Sequence, residues 1–278
     1  MKKILALILA VMMLTCLFAG CNKPADDNND ILSDGGDATA TSDTDYIMEN
    51  GEMIIGMTLF APMNYYEGEE LIGFETEFAK AVCEKIGVTP KFQEINWDAK
   101  EIELNAKNID CIWNGMTITD ERKANMEISN PYMANKQVMV VKKDNAEKFA
   151  EGVIGAAVVA EAGSAGEEIA TADEFFKESA FTPVDSMAKA LMDVAAGTSD
   201  IAIVDYVASI GSIGEGTDFE DLVVVSEREF SPEEYGIAFR KGSDMATVVN
   251  NTIAELIADG TLDEIAAKYK LADLLIKD

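Results

Sequence analysis

From Gly51 onward, apolar runs of strand length alternate with segments of helical period. EMIIGM is a short apolar run, GFETEFAKAVCEKIG has apolar residues at helical spacing, KFQEI is strand-like, AKEIELNAK is helical, and IDCIW is again a strand. Such alternation specifies a mostly parallel sheet covered by helices. In sheets of that kind ligands sit beyond the carboxyl ends of the strands. WNGMTIT follows IDCIW and occupies that position.

A second stretch repeats the scheme: GAAVVA as a strand, SAGEEIA opening a helix after a glycine turn, SMAKALMDVAAG as a helix and SDIAIVD as a strand. IELNAKNIDCIWNGM and LMDVAAGTSDIAIVDY share one order: amphipathic helix, polar break, Asp, apolar strand. Two extended segments, NPYMANKQVMVVKK and VVVSEREFSPEEYGIAFRKG, flank the second half. The chain is therefore expected to leave one lobe, build another and return, which makes a hinge of the two crossings. The final stretch reads as two helices broken at Asp259 and Gly260 that pack back on the first lobe. The expected fold class is α/β, two Rossmann-like lobes joined by a two-strand hinge. Lobe 1 is expected over 51–138 and 230–278, and lobe 2 over 139–229.

The first fifty residues have a different character. MKK is a positive n-region, ILALILAVMMLTCLFA an apolar h-region, and Gly20 a small residue before Cys21, the pattern of an export signal over 1–20. LFAGC resembles a bacterial lipobox, with Phe18 a mild departure from its usual aliphatic residue, so Cys21 is expected to carry a lipid. Residues 21–50 are rich in Asp, Asn, Ser, Thr and Gly and are expected to form a flexible acidic linker. Spacing from Asp26 hints at a calcium loop, but Ile31 and Asp37 stand where such a loop needs Gly and Glu. The expected location is extracytoplasmic, tethered to the cell membrane.

Acidic residues outnumber basic ones 51 to 22, a formal net charge of −29 that repels phosphate backbones and excludes nucleic acid as a partner. The chain has no histidine, which removes His-dependent triads and His metal sites. No metal or other cofactor is expected. Cys83 and Cys111 lie in apolar patterns and are expected as buried thiols, a disulfide between them being left open.

Against this acidity, one of only three arginines stands in TITDERKANMEI. Thr119 is placed to cap a short helix, with Asp120 and Glu121 in the first turn where the helix dipole favours acids. Arg122 in that turn is electrostatically misplaced, so helix stability does not account for it. Its planar, permanently charged fork suits a carboxylate.

GMTITDERKANMEISNPY resembles the signature of the polar amino-acid solute-binding proteins of ABC importers, family 3, with the type II periplasmic-binding-protein fold. GFETEFAKAVCEKIGV, EAGSAGEE, SDIAIVDY and YGIAFRKG extend the resemblance to essentially everything after Gly51. The resemblance implies that Arg122 grips a ligand α-carboxylate, with Thr117 contributing hydroxyl and amide, and Gly115 a carbonyl to the ammonium. It implies that Asp205 takes the ammonium from the opposite lobe, while Ser164 and the Ala165 amide complete the carboxylate site. Trp97 matches a position that packs on the ligand side chain; Phe60 and Tyr65 are further stacking candidates. Many members carry an acid after the first strand, where this chain has Thr58, and the first-loop anionic contact is thereby in doubt. Lys100, beside Trp97, is expected to face solvent.

These readings imply a monomeric binding lipoprotein that delivers an amino acid to an ABC permease and its ATPase, without enzymatic activity. The alternative is an enzyme on the same scaffold, dehydratase-like or lytic toward cell wall, acting on a small carboxylate. A zwitterion bridged between one fixed cation and one fixed anion on separate lobes would hold the lobes together, whereas an empty closed cleft would leave both charges buried and unpaired.

Overall fold

A computed structural model describes residues 42–277 apart from 229 and 231. The export signal, Cys21 and the linker up to residue 41 lie outside the described residues. The remainder of the expected linker is corrected: Asp43–Asn50 form a helix, α1. Ser42 caps it by accepting from the Asp45 amide at 2.9 Å, and Gly51, at φ +66°, closes it in the left-handed conformation. Ile47 is fully buried, and Asp43 meets Arg240 at 3.0 Å, so α1 is fastened to the body of the protein.

After α1 come β1 (Glu52–Met57), a hairpin of β2 (Tyr65–Glu67) and β3 (Glu70–Ile72), α2 (Phe74–Ile86), β4 (Thr89–Glu94), α3 (Lys100–Asn105), β5 (Cys111–Thr117), α4 (Asp120–Asn125) and β6 (Met126–Ile128). The crossing strand β7 (Met133–Lys142) leads to α5 (Ala146–Glu151), β8 (Ala157–Glu161), α6 (Ala165–Ala172), β9 (Ala180–Val184), α7 (Met187–Ala196), β10 (Ile201–Asp205), α8 (Tyr206–Ser212) and β11 (Leu222–Val224). The return strand β12 (Pro232–Arg240) is followed by α9 (Met245–Ala258) and α10 (Thr261–Lys268).

Strand order is β4-β1-β5-β12-β7-β10-β8-β9, with β6 on β12 and β11 on β7. β1 lies parallel to β4 and β5, and β8 parallel to β9 and β10, so each lobe has a parallel αβ unit as its centre. The crossing strands join them. β12 pairs through Pro232–Tyr235 with Lys136–Met133 of β7 and through later residues with β5, while β7 pairs beyond Gln137 with β10. Each crossing strand thus belongs to both lobes, the two-strand hinge anticipated from the sequence.

Burial follows the helical and strand periods. On α2, Phe74, Phe78, Ala79 and Val82 are buried at i, i+4, i+5 and i+8, one face of a helix. Phe78 meets the buried Trp113 edge-on, with ring centroids 4.9 Å apart, worth about 0.5–1.5 kcal/mol beyond area burial. A separate apolar cluster, with Met139, Val158, Ile201, Phe149 and Phe176, fills the second lobe. The last two helices return to α2, where the Tyr269 hydroxyl donates to Glu77 at 2.6 Å. Cys83 and Cys111 are buried free thiols. Burial pushes the Cys83 thiol up to about 12, which keeps it protonated and unreactive.

Candidate functional site

All seven residues of β5 are buried, and the strand ends at Thr117. Thr119 then caps α4, its hydroxyl accepting from the Arg122 amide at 3.1 Å, as the sequence pattern predicts. The cap fixes Arg122 in the first turn and turns its side chain into the protein, where only 5% of the residue is exposed. Nη1 donates to the Thr117 carbonyl at 2.8 Å, and Nη2 to the Gly163 carbonyl at 3.3 Å across the lobe junction. Glu168 is 3.4 Å away, but its side chain is 59% exposed, so solvent screens that ion pair and leaves the guanidinium short of a full counter-charge.

Asp205 ends β10 on the second lobe and is 4% exposed. Its carboxylate accepts from the Tyr235 hydroxyl at 2.7 Å and from the Gln137 amide. Burial, with the charge of Glu233 adding, pushes Asp205 up to about 6 against these hydrogen bonds. Glu233 accepts from Thr117 Oγ1, Asn135 and Gln137, each at 3.1 Å. Arg122, Thr117, Glu233, Gln137 and Asp205 therefore form one continuous hydrogen-bonded path from the first lobe, over the hinge strands, to the second. Gln137 and Glu233, both on those strands, were not singled out from the sequence; a polar residue within an extended run has no local signature of burial.

The expectation for Lys100 is corrected. It is 6% exposed, and its ammonium lies 4.9 Å from the centre of the Trp97 ring, donating to Trp97 O at 3.2 Å and to Gly163 O at 2.9 Å. Burial, with the Arg122 charge adding, lowers Lys100 to about 8. Its reach across the cleft depends on Gly163, which has φ +71°; a Cβ there would sit 3.1 Å from Asp98 Cα. Glycine is required both by the backbone angle and by this close approach.

Two residues before Gly163, Glu161 ends β8, 2% exposed, with Oε1 buried and without a hydrogen-bond partner among the described residues. Burial and the charge of Asp205 push Glu161 up to about 8, with Lys100 opposing. The strand read from the sequence, GAAVVA, stops one residue short of Glu161, which received no role there. Glu75 was also missed. Fully enclosed at the start of α2, it accepts from the Gly115 amide at 2.7 Å, from Asn64 at 2.9 Å and from the Tyr132 hydroxyl, and burial pushes it up to about 7.

The other sequence candidates divide. Ser164 caps α6 by accepting from the Glu167 amide at 3.2 Å, and the Ala165 amide is the first of that helix. Gly115 is held by Glu75 at φ +55°, with Phe60 packed so closely that a Cβ would meet its ring at 3.0 Å. The Thr58 hydroxyl donates to Asn114 Oδ1 at 2.7 Å. Trp97 is buried beside Leu104 and Ile112 beneath the Lys100 ammonium. Tyr65 belongs to the β2–β3 hairpin, where its charged neighbours are Glu67, Lys268 and Glu77, none of them in the Arg122–Asp205 group. A cavity of about 290 Å³ opens beside Lys100, Arg122, Gly163 and Glu168, and one of about 580 Å³ beside Thr117, Ala165 and Glu233. Another, about 590 Å³, lies between Lys142 and Leu222 and holds none of these groups.

Two α/β lobes on a pair of shared strands, with buried opposite charges contributed from either side of their junction, define a bilobal solute-binding protein. Residues 53–272 match the bacterial extracellular solute-binding proteins, family 3, and the chain belongs to that family. It is 30% identical over 236 residues to the L-cystine-binding protein TcyJ of Escherichia coli K12, covering 82% of this chain and 86% of that protein. The arginine-binding extracellular protein ArtP of Bacillus subtilis is 27% identical, with 83% and 91% covered. The substrate-binding protein of an ABC uptake transporter from Streptococcus pneumoniae, solved with bound histidine, superposes with a TM-score of 0.76 at 30% identity, covering 86% of this chain and all of that one. Among the described residues no helix is long and apolar enough to cross a membrane.

Proposed function

We propose that this chain captures an amino acid between its lobes and delivers it to the permease of an ABC importer, whose ATPase drives uptake. The observation that carries this reading is the hydrogen-bonded path from the buried Arg122 guanidinium to the buried Asp205 carboxylate. An α-carboxylate placed on Arg122, with the Thr117 hydroxyl and the first amides of α6 nearby, receives charge-assisted donors. An α-ammonium placed on Asp205 supplies the cation that the buried carboxylate lacks. Relatives named for cystine, arginine and histidine support an amino acid as the guest. Micromolar binding requires about 8 kcal/mol, within reach of a few such bonds plus packing on Trp97.

Lobe boundaries fall, in this reading, between 138 and 139 and between 229 and 230, and the protein acts as a monomer held to the membrane through lipidated Cys21. Binding without turnover accounts for both buried charges, so no acid–base pair is assigned. Arg122→Ala is expected to cost about 3–5 kcal/mol of amino-acid affinity, because the carboxylate loses its cation. A calorimetric loss of less than tenfold would remove Arg122 from the site. Turnover of a small carboxylate by the wild-type protein would favour the enzyme instead. Cys21→Ser is expected to move the protein from the membrane fraction to the soluble one, and retention would refute the anchor.

A further inference from the structure

We propose that Glu161 receives a positively charged group at the end of the ligand's side chain, so that the cleft selects cationic amino acids. This rests on the reading that Arg122 and Asp205 hold the ligand's α-groups. The first observation is an open acceptor. Among the described residues Glu161 Oε1 is buried with no partner, an arrangement that native proteins seldom retain without a use. The second is location. Glu161 lies in the same turn as Gly163, whose carbonyl takes both Arg122 and Lys100, and the charges that act on it are those of Asp205 and Lys100. It therefore stands beside the junction where the ligand would lie, close enough to Asp205 and Lys100 to feel both charges.

The third observation is charge balance. A bound zwitterion neutralises Arg122 and Asp205. Among the described residues Glu233 receives neutral donors, Glu161 Oε1 receives none, and Lys100 directs its bonds to two carbonyls. With both carboxylates ionised, two against one ammonium leave these groups negative by one charge, an excess that empty Glu161 avoids by keeping its proton. A side chain with one positive charge cancels that excess and supplies the donor that Glu161 lacks. An aliphatic side chain leaves Oε1 unpartnered, and an acidic one is repelled. The anionic contact missing at Thr58 in the first loop is thus provided from the opposite lobe.

Isothermal titration of the purified protein with L-arginine, L-lysine, L-glutamine, L-leucine and L-glutamate tests this, alongside Glu161→Gln. Arginine or lysine is expected to bind at least about tenfold tighter than the neutral amino acids, and Glu161→Gln to weaken the cationic ligands about 10- to 100-fold, as for loss of a charge-assisted hydrogen bond. Neutral ligands should change by less than about threefold. The ligand-free variant should melt at or above the wild-type temperature at pH 8, since it no longer buries an unpartnered carboxylate; this separates a binding role from a structural one.

A proton signature is also expected. Empty Glu161 is held largely protonated at pH 7 by its burial and by Asp205 on β10, against Lys100 on α3. Arginine binding should therefore release protons, measured by titration in two buffers of different ionisation enthalpy, and Glu161→Gln should release fewer. Neutral amino acids binding as tightly as arginine and lysine, or unchanged arginine affinity in Glu161→Gln, would overturn the inference alone. Absence of binding by every amino acid tested would overturn the underlying reading as well.

Discussion

Replacing Asp205 by Asn separates the cost of a buried charge from its use. In the folded protein Asp205 titrates at about 6, above its ordinary 3.8. Between those values the folded state binds more protons than the unfolded chain, so stability falls as pH rises through that window and stays reduced above it. A shift of that size corresponds to roughly 3 kcal/mol at ~1.4 kcal/mol per unit. Asn does not titrate, but it weakens the bonds from Tyr235 and Gln137 by about 1–2 kcal/mol together. The ligand-free variant should therefore be more stable than wild type by about 1–2 kcal/mol at pH 7.5, a rise of about 2–8 °C in Tm for a chain of this size, and should lose that advantage below pH 4. Ligand binding should move the other way, weakening by about 2–5 kcal/mol as the ammonium loses its counter-charge. Differential scanning fluorimetry from pH 4 to 8 and calorimetry at pH 7.5 give both numbers. A variant that melts lower and binds as tightly as wild type would show Asp205 to be a structural carboxylate and refute the reasoning.

Arg240 ties α1 to the first lobe through Asp43 at 3.0 Å, Asp110 at 3.4 Å and the Ile109 carbonyl at 2.8 Å. Arg240→Ala is expected to destabilise by about 3–5 kcal/mol in urea unfolding, since two carboxylates lose their cation, while ligand affinity in the surviving folded fraction stays unchanged. Gly163→Ala adds a Cβ 3.1 Å from Asp98 Cα at a left-handed backbone angle. Because the clash exists only when the lobes approach, it should weaken ligand binding more than it lowers the Tm of the ligand-free protein, where the strain of the turn costs about 1–2 kcal/mol. Equal losses in the two measurements would place the defect in the turn alone.

Much of the architecture was readable because it rests on local rules. The short apolar runs became β1, β5, β8 and β10, Thr119 capped α4 as its position required, and Asp259–Gly260 separated α9 from α10. The hairpin β2–β3 and strand β9 were not read. β9, AFTPV, is an edge strand on β8 with an internal proline and mostly solvated side chains, so it lacks the apolar alternation that marks a strand. The helix α1 was missed for a different reason. Its segment is acidic and polar in composition, yet Ser42 and Gly51 are an N-cap and a C-cap at helical separation, and Tyr46 and Ile47 are the apolar contacts between them. The two caps and the buried Ile47, not the polar composition, decide the helix.

The site divides along the same line. Arg122 stood out because a cation in the first turn of a helix violates a local preference, and such a violation is visible in one sequence. Glu161 violates nothing locally, since an acid at the end of a strand is what solvated surfaces contain, whereas Lys100, in the first turn of α3, breaks the same preference as Arg122 without its burial being legible from the chain. Their burial comes from segments about sixty residues apart, since Lys100 is enclosed only when the Gly163 turn of the other lobe meets it. Glu75 was masked in the opposite way, because an acid in the first turn of α2 already has a sufficient reason in the helix dipole and needs no partner at Gly115 to account for it. In a protein whose site is made by two lobes meeting, the residues that disobey local electrostatics can be found from the chain, whereas those that obey them acquire a role only through the partner surface. In the proposed reading, the carboxylate that selects the guest's side chain, Glu161, is therefore one that the sequence conceals, because its contact does not exist until the cleft is assembled.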